Sequence, residues 1–172
     1  MNALAKAAED VLRQGFALLS ELDEVDYALM VPAPYNASVG RHYRHVVDHF
    51  LCLAAGAKSG IINYDRRGRE QRLENDLEYA REMTENLIRA VRGYDAAFLD
   101  QSCLVQYTVG YGGGEPAQIS SVIGRELAFC AGHAVHHYAL IRFLCDALGV
   151  RVVPEFGIAP STLKHQAAQV AN

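Results

Sequence analysis

The chain has 172 residues, half of them hydrophobic, with 14 Gly and 5 Pro, enough for one domain with a substantial core and too ordinary for a disordered or fibrous class. The formal net charge is −4 with both signs interspersed, and no Lys/Arg run forms a nucleic-acid or membrane patch. Acidic residues follow Met1 too early for a signal peptide, and no apolar run reaches the ~20 residues of a membrane span, so the expectation is a soluble cytoplasmic protein with no nucleic-acid or membrane partner.

The first predicted helix runs from about Ala3 to Leu22, with Leu4, Ala8, Val11, Gly15, Leu18 and Leu22 as its apolar stripe. Pro32 and Pro34 break the chain. Asn36 or Ser38 caps a second helix that continues to about Ala57. A polar link follows from Lys58 to Gly68, containing Tyr64, Asp65, Arg66 and Arg67. The third helix spans about Arg69 to Arg92 and ends at Gly93. Residues 103–109 are rich in β-branched and aromatic types and lead into Gly110-Tyr111-Gly112-Gly113-Gly114, which reads as a short hairpin or an extended flap. The fourth helix runs from about Ser120 to Leu148 and closes at Gly149. The tail from Val150 to Asn172 holds Pro154, Gly157 and Pro160 and reads as irregular chain.

Four long helices define an all-α, four-helix bundle forming a single domain over 1–172. The link of about eleven residues after the second helix covers roughly 36 Å when extended, longer than a helix of about 30 Å. It can therefore cross the bundle and return the third helix parallel to the second.

Six of the seven histidines fall in two short runs, Arg41 to His49 and His133 to His137. At about 100° per residue His42, His45 and His49 share one face of the second helix, together with Val39, Val46 and Leu53, and are expected to point toward the core. His133 and His137 are one turn apart on the fourth helix, a spacing that lets both rings reach one point. His136 projects away from that pair. A neutral imidazole is a transition-metal ligand near pH 7, so the two runs together can build a three-nitrogen site that leaves a coordination position open. A fourth ligand from His42 or His49 would close it. Glu126 lies on the inward face of the fourth helix, about 10 Å along the axis from His133, and reads as a buried ion-pair or supporting residue. Asp48 points away from the histidine stripe and can tie to Arg44. Arg66, with its neighbours in the link, is a candidate rim for an anionic group. The cysteines Cys52, Cys103, Cys130 and Cys145 form no C-x-x-C pair and read as reduced thiols in or near the core.

At these residues the chain resembles the DinB/YfiT-like superfamily of metalloenzymes. The segment Ser38 to Asp48 is similar to the family's S-x-x-E-x-x-x-H-(apolar)-x-D motif, which puts a metal histidine at His45. His133-Ala134-Val135-His136-His137 is similar to its H-x-x-H-H motif, whose outer histidines bind metal. Asn63 to Arg67, Gly124 to Leu127 and Phe156 to Thr162 look like a bacterial branch of the superfamily. The resemblance implies an up-down-down-up bundle, a divalent metal (Zn, Ni or Fe) on His45, His133 and His137, and a homodimer. It also implies an enzyme that activates a low-molecular-weight thiol or water for transfer to a small-molecule substrate or for hydrolysis. His42, His49, Glu126 and Arg66 then line the pocket. The alternative is a non-catalytic metal-binding or stress-response bundle. Two departures stand out: Arg41 occupies the motif's Glu position, and Tyr138-Ala139 replace the carboxylate that follows the last histidine in the family's sulfoxide synthases.

Overall fold

The computed structural model describes residues 2–32, 36–112 and 115–170. Pro34 and the pair Gly113-Gly114, read above as chain-breaking and turning residues, lie outside the described residues. Four long helices carry the fold: α1 (Ala3–Glu21), α3 (Val39–Ser59), α5 (Leu77–Arg92) and α7 (Ile123–Leu148). Short helices α2 (Glu24–Ala28), α4 (Arg72–Asn75) and α6 (Ala96–Leu99) join them, and α8 (Pro160–Val170) follows. Strands β1 (Ile61–Asn63), β2 (Ser102–Tyr107) and β3 (Ala117–Val122) form one sheet in the order β1-β2-β3. β1 pairs parallel to β2, with Ile62 opposite Val105, and β3 pairs antiparallel to β2, with Ile119 opposite Val105.

The protein is thus mostly helical but not all-α. The expected hairpin is present, and the crossover adds a third strand to it. Local chemistry explains the other differences from expectation. Asp76 caps α5 by accepting from the Tyr79 N–H at 2.8 Å, which splits the expected third helix into α4 and α5. Pro160 opens α8 instead of ending order, because proline's fixed φ and missing N–H suit the first helical turn. Ser120 to Val122 belong to β3, so α7 starts later than expected. Ser38, not Asn36, caps α3, and its side chain accepts from the Arg41 N–H at 3.1 Å. The buried stripe of α1 is Ala5, Ala8, Leu12, Gly15, Leu18 and Leu19, rotated slightly from the expected one, and Leu4 and Val11 sit at its margin.

The core fills the space between the long helices with Leu12, Leu19, Tyr43, Phe50, Leu53, Leu127, Tyr138 and Ile141, and Phe156 from the tail stacks on Tyr138. Glu9 of α1, only 2% exposed, is held by Arg13 on its own helix and by Arg92 of α5 at 2.8 Å, a paired buried carboxylate that ties the two helices. All four cysteines are free, and Cys52 alone among them is only half-buried. Among the described residues no helix is long and apolar enough to cross a membrane.

Candidate metal centre

α3 and α7 pack antiparallel, and their histidines meet rung by rung. His42 Nδ1 lies 3.0 Å from His137 Nδ1, and His45 Nε2 lies 3.0 Å from His133 Nε2. One level further, Cys130 Sγ donates to the His49 carbonyl at 3.6 Å. The buried face of α3 is Val39, Tyr43, Val46, Val47, Phe50 and Leu53, and that of α7 is Ile123, Leu127, Cys130, Ala134, Tyr138 and Ile141. Except for His49, which belongs to the buried face of α3, the histidines border those faces instead of entering the core. His42, His45, His133 and His137 are half-buried along one edge of the helix pair, His49 is buried, and His136 is exposed.

A nitrogen from each of His45, His49 and His133 lies within 4.8 Å of the other two. His137 packs on the same group, with ring centroids 4.5 Å from His45 and 4.6 Å from His133. His49 Nδ1 sits 2.7 Å from the His45 carbonyl, which can only accept. Nδ1 therefore carries the proton, and the lone pair is left on Nε2. This is the arrangement by which proteins fix the tautomer of a metal-ligating histidine. Two nitrogens sharing one tetrahedral ion sit about 3.3 Å apart, close to the separation of the His45–His133 pair. Nitrogen donors alone suit a borderline transition metal and not Mg²⁺ or Ca²⁺. The residues present therefore fit a divalent transition ion.

The electrostatics agree. Burial, reinforced by neighbouring histidines and Arg67, holds His45 down at about 3. Burial, His49, His136 and Arg67 hold His133 at about 4, and burial with His133 and His42 holds His137 at about 3. Burial also lowers His42 and His49. All five shifts therefore run toward the neutral imidazole, the form that ligates a metal.

The surrounding residues are clamped. Tyr64, at the start of the turn Tyr64–Arg66, stacks on His49 at 5.4 Å and packs on Phe129 at 5.3 Å. Its hydroxyl donates to Glu126 Oε2 at 3.0 Å. Glu126 is 1% exposed and also accepts from Ser121 at 2.6 Å and Arg125 at 3.0 Å. It thus pairs with Arg125 and reaches His49 through the tyrosine. Asp48 binds Arg44 at 3.1 Å, and Arg44 also reaches Glu74 at 2.9 Å. Burial pushes the Asp48 carboxyl up, and Arg44 and the Arg69 N–H oppose that rise. The arginine whose charge acts on His45, His49 and His133 is Arg67, which donates to the Tyr64 carbonyl, and Arg41 acts on His42; Arg66 is exposed.

No family model matches the chain. An FK506-binding protein 5 of Rhizopus delemar is 37% identical over 105 residues, which are 61% of this chain but only 27% of that protein, so the chain spans about a quarter of the relative it matches. A solved DinB-like protein, YjoA of Bacillus subtilis, superposes with a TM-score of 0.63 at 18% identity and covers 89% of this chain and 96% of its own. The chain therefore has a DinB-like fold with a cluster of histidines in metal-binding proximity.

Proposed function

We propose that the protein binds one divalent transition metal (Zn, Ni or Fe) through His45, His49 and His133, and uses the open coordination position to activate a low-molecular-weight thiol or water. The observation that carries this reading is the convergence of three imidazoles, one with its tautomer set by a backbone carbonyl. A bound divalent ion lowers the pKa of a thiol or water so that a nucleophile exists at neutral pH. The chain's own residues hold the ligand rings on two rigid helices, and Tyr64 and Phe129 shield one side from water. The reaction class is transfer of a thiol to an electrophile, or a related hydrolysis. The closeness of His137 to His45 and His133 supports a second donor set, His45, His133 and His137, which the motif resemblance also implies. Both sets keep three ligands; all four histidines together would close the site and favour a non-catalytic bundle.

This reading also takes the long helices to run up-down-down-up. Supporting it are the α3/α7 rungs, Arg92 opposite Glu9 with Arg81 opposite Leu19, and Leu4 beside Gly124 with Gly15 beside Tyr138.

Elemental analysis of purified variants tests the donor set. His45→Ala and His133→Ala should each lose stoichiometric metal. If His49→Ala loses it and His137→Ala keeps it, the first set stands; the reverse selects the second. Full metal content in the His45 variant would overturn both.

A further inference from the structure

Beyond the histidines, the groove opens at the start of α3 into a cleft of about 490 Å³ whose lining includes Asn36, Arg41, His42, Arg44, His45 and His137. Among the described residues no Asp or Glu lines it. The two arginines there differ. Arg44 is held between Asp48 and Glu74, so its charge is compensated. Arg41 is exposed, and among the described residues its guanidinium meets one acceptor, the Asn36 carbonyl at 3.4 Å. On the other flank the charge of Arg67 acts on His45, His49 and His133. A divalent ion would add two more positive charges to a groove whose cleft offers no carboxylate to balance them. A neutral occupant leaves that field unanswered, whereas an anion satisfies it.

We propose that this cleft is a subsite for a carboxylate arm of the metal-bound ligand, with Arg41 as its guanidinium partner. One uncompensated guanidinium with a planar fork of donors matches a planar monoanion better than a phosphate dianion. The cleft shares His45 with the three-histidine group and is also lined by His137, which packs on it, so one small molecule can place its thiol at the ion and its carboxylate at Arg41. The substrate class is a short carboxylate-bearing thiol. The proposal rests on the metal reading for the thiol end and on Arg41 alone for the carboxylate end.

The test separates the two. On Co²⁺-loaded protein, the thiolate charge-transfer band is titrated with 3-mercaptopropionate and with its neutral amide. The acid should bind about tenfold tighter, the difference expected between a charge-assisted and a neutral hydrogen bond. Arg41→Gln should erase that preference while metal stoichiometry and amide affinity stay unchanged, and Arg41→Lys should restore part of it. Equal affinities in the wild type, or a preference that survives Arg41→Gln, would overturn the subsite. The second arm uses metal-free protein and propionate, read by the His42 ring signals in NMR. A shift seen in the wild type and lost in Arg41→Gln supports the subsite even where no metal binds. No shift, or tighter binding of inorganic phosphate than of propionate, counts against it.

Discussion

Tyr64 joins the crossover to the histidines, and it is fixed at both ends. Its ring lies on His49 and Phe129, and its hydroxyl is one of three donors to the buried Glu126. Tyr64→Phe keeps the ring and removes one donor of three, so it should cost about 1 kcal/mol of stability and change metal affinity little. Tyr64→Ala frees the His49 ring. Metal affinity should then fall about ten- to a hundredfold, the range for losing a residue that orients a ligand. Competition with a chromophoric chelator measures both, and an Ala variant that binds metal like the wild type would exclude the positioning role. The same residues set a pH dependence. An unfolded histidine titrates at about 6.5, whereas His133 is held at about 4 and His45 and His137 at about 3. Below pH 6.5 the unfolded chain takes up protons that the folded groove refuses, so metal-free stability should decline as pH falls from about 6.5 to about 4. Urea midpoints at pH 7, 6 and 5 check this, and His133→Ala should flatten the decline. At this scale the histidine spacing was legible, because i, i+3 and i+4 positions share a helix face whatever the tertiary context. The role of His49 was not, since its tautomer depends on a hydrogen bond to its own helix backbone. Nor could adjacent charges distinguish Arg67 from Arg66, because the path of the turn decides which side chain faces the groove.

Among the elements, the long helices were legible because their apolar periodicity runs for four turns or more and their caps, Ser38 and Gly149, are local signals. Four-residue helices such as α4 and α6 are too short for a period to emerge, and β1 becomes a strand only because β2 lies beside it. The antiparallel α3/α7 pair is the element-scale device that builds the site, and α1 braces it from behind. Gly15 of α1 is where they meet. A Cβ there would come within 2.2 Å of the Tyr138 hydroxyl and 2.9 Å of the Tyr43 hydroxyl. These tyrosines adjoin His137 and His42 in sequence and stack on each other at 6.4 Å. Gly15→Ala should therefore cost about 1–3 kcal/mol through overpacking, lowering the thermal midpoint by several degrees. Because the displaced rings carry the outermost rung, the His42–His137 contact should loosen as well. Calorimetry reads the first effect and the NMR signals of those two imidazoles read the second. An unchanged melting curve would mean that α1 does not brace the pair.

Over the whole molecule, a net charge of −4 coexists with a cleft lined by Arg41 and Arg44, of which only Arg44 is paired with carboxylates among the described residues. The attraction it offers an anion is therefore local and should weaken as salt is added, since Arg41, the guanidinium partner, is exposed. The hydrophobic core does not run through the histidine edge. It is continuous from α1 through α3, α5 and α7 to the sheet and to Phe156. A fold held this way should form without an ion, unlike small domains whose metal supplies the folding energy. Chelator-treated protein should keep its helical circular dichroism and unfold cooperatively. Added metal should raise stability only by mass action, by about 2.7 kcal/mol at a hundredfold excess over its dissociation constant. The thermal midpoint should therefore climb with metal concentration and fail to do so in His133→Ala. Collapse of the helical signal on chelation would show that the ion is structural, and the open-site chemistry proposed for it would fall with that result.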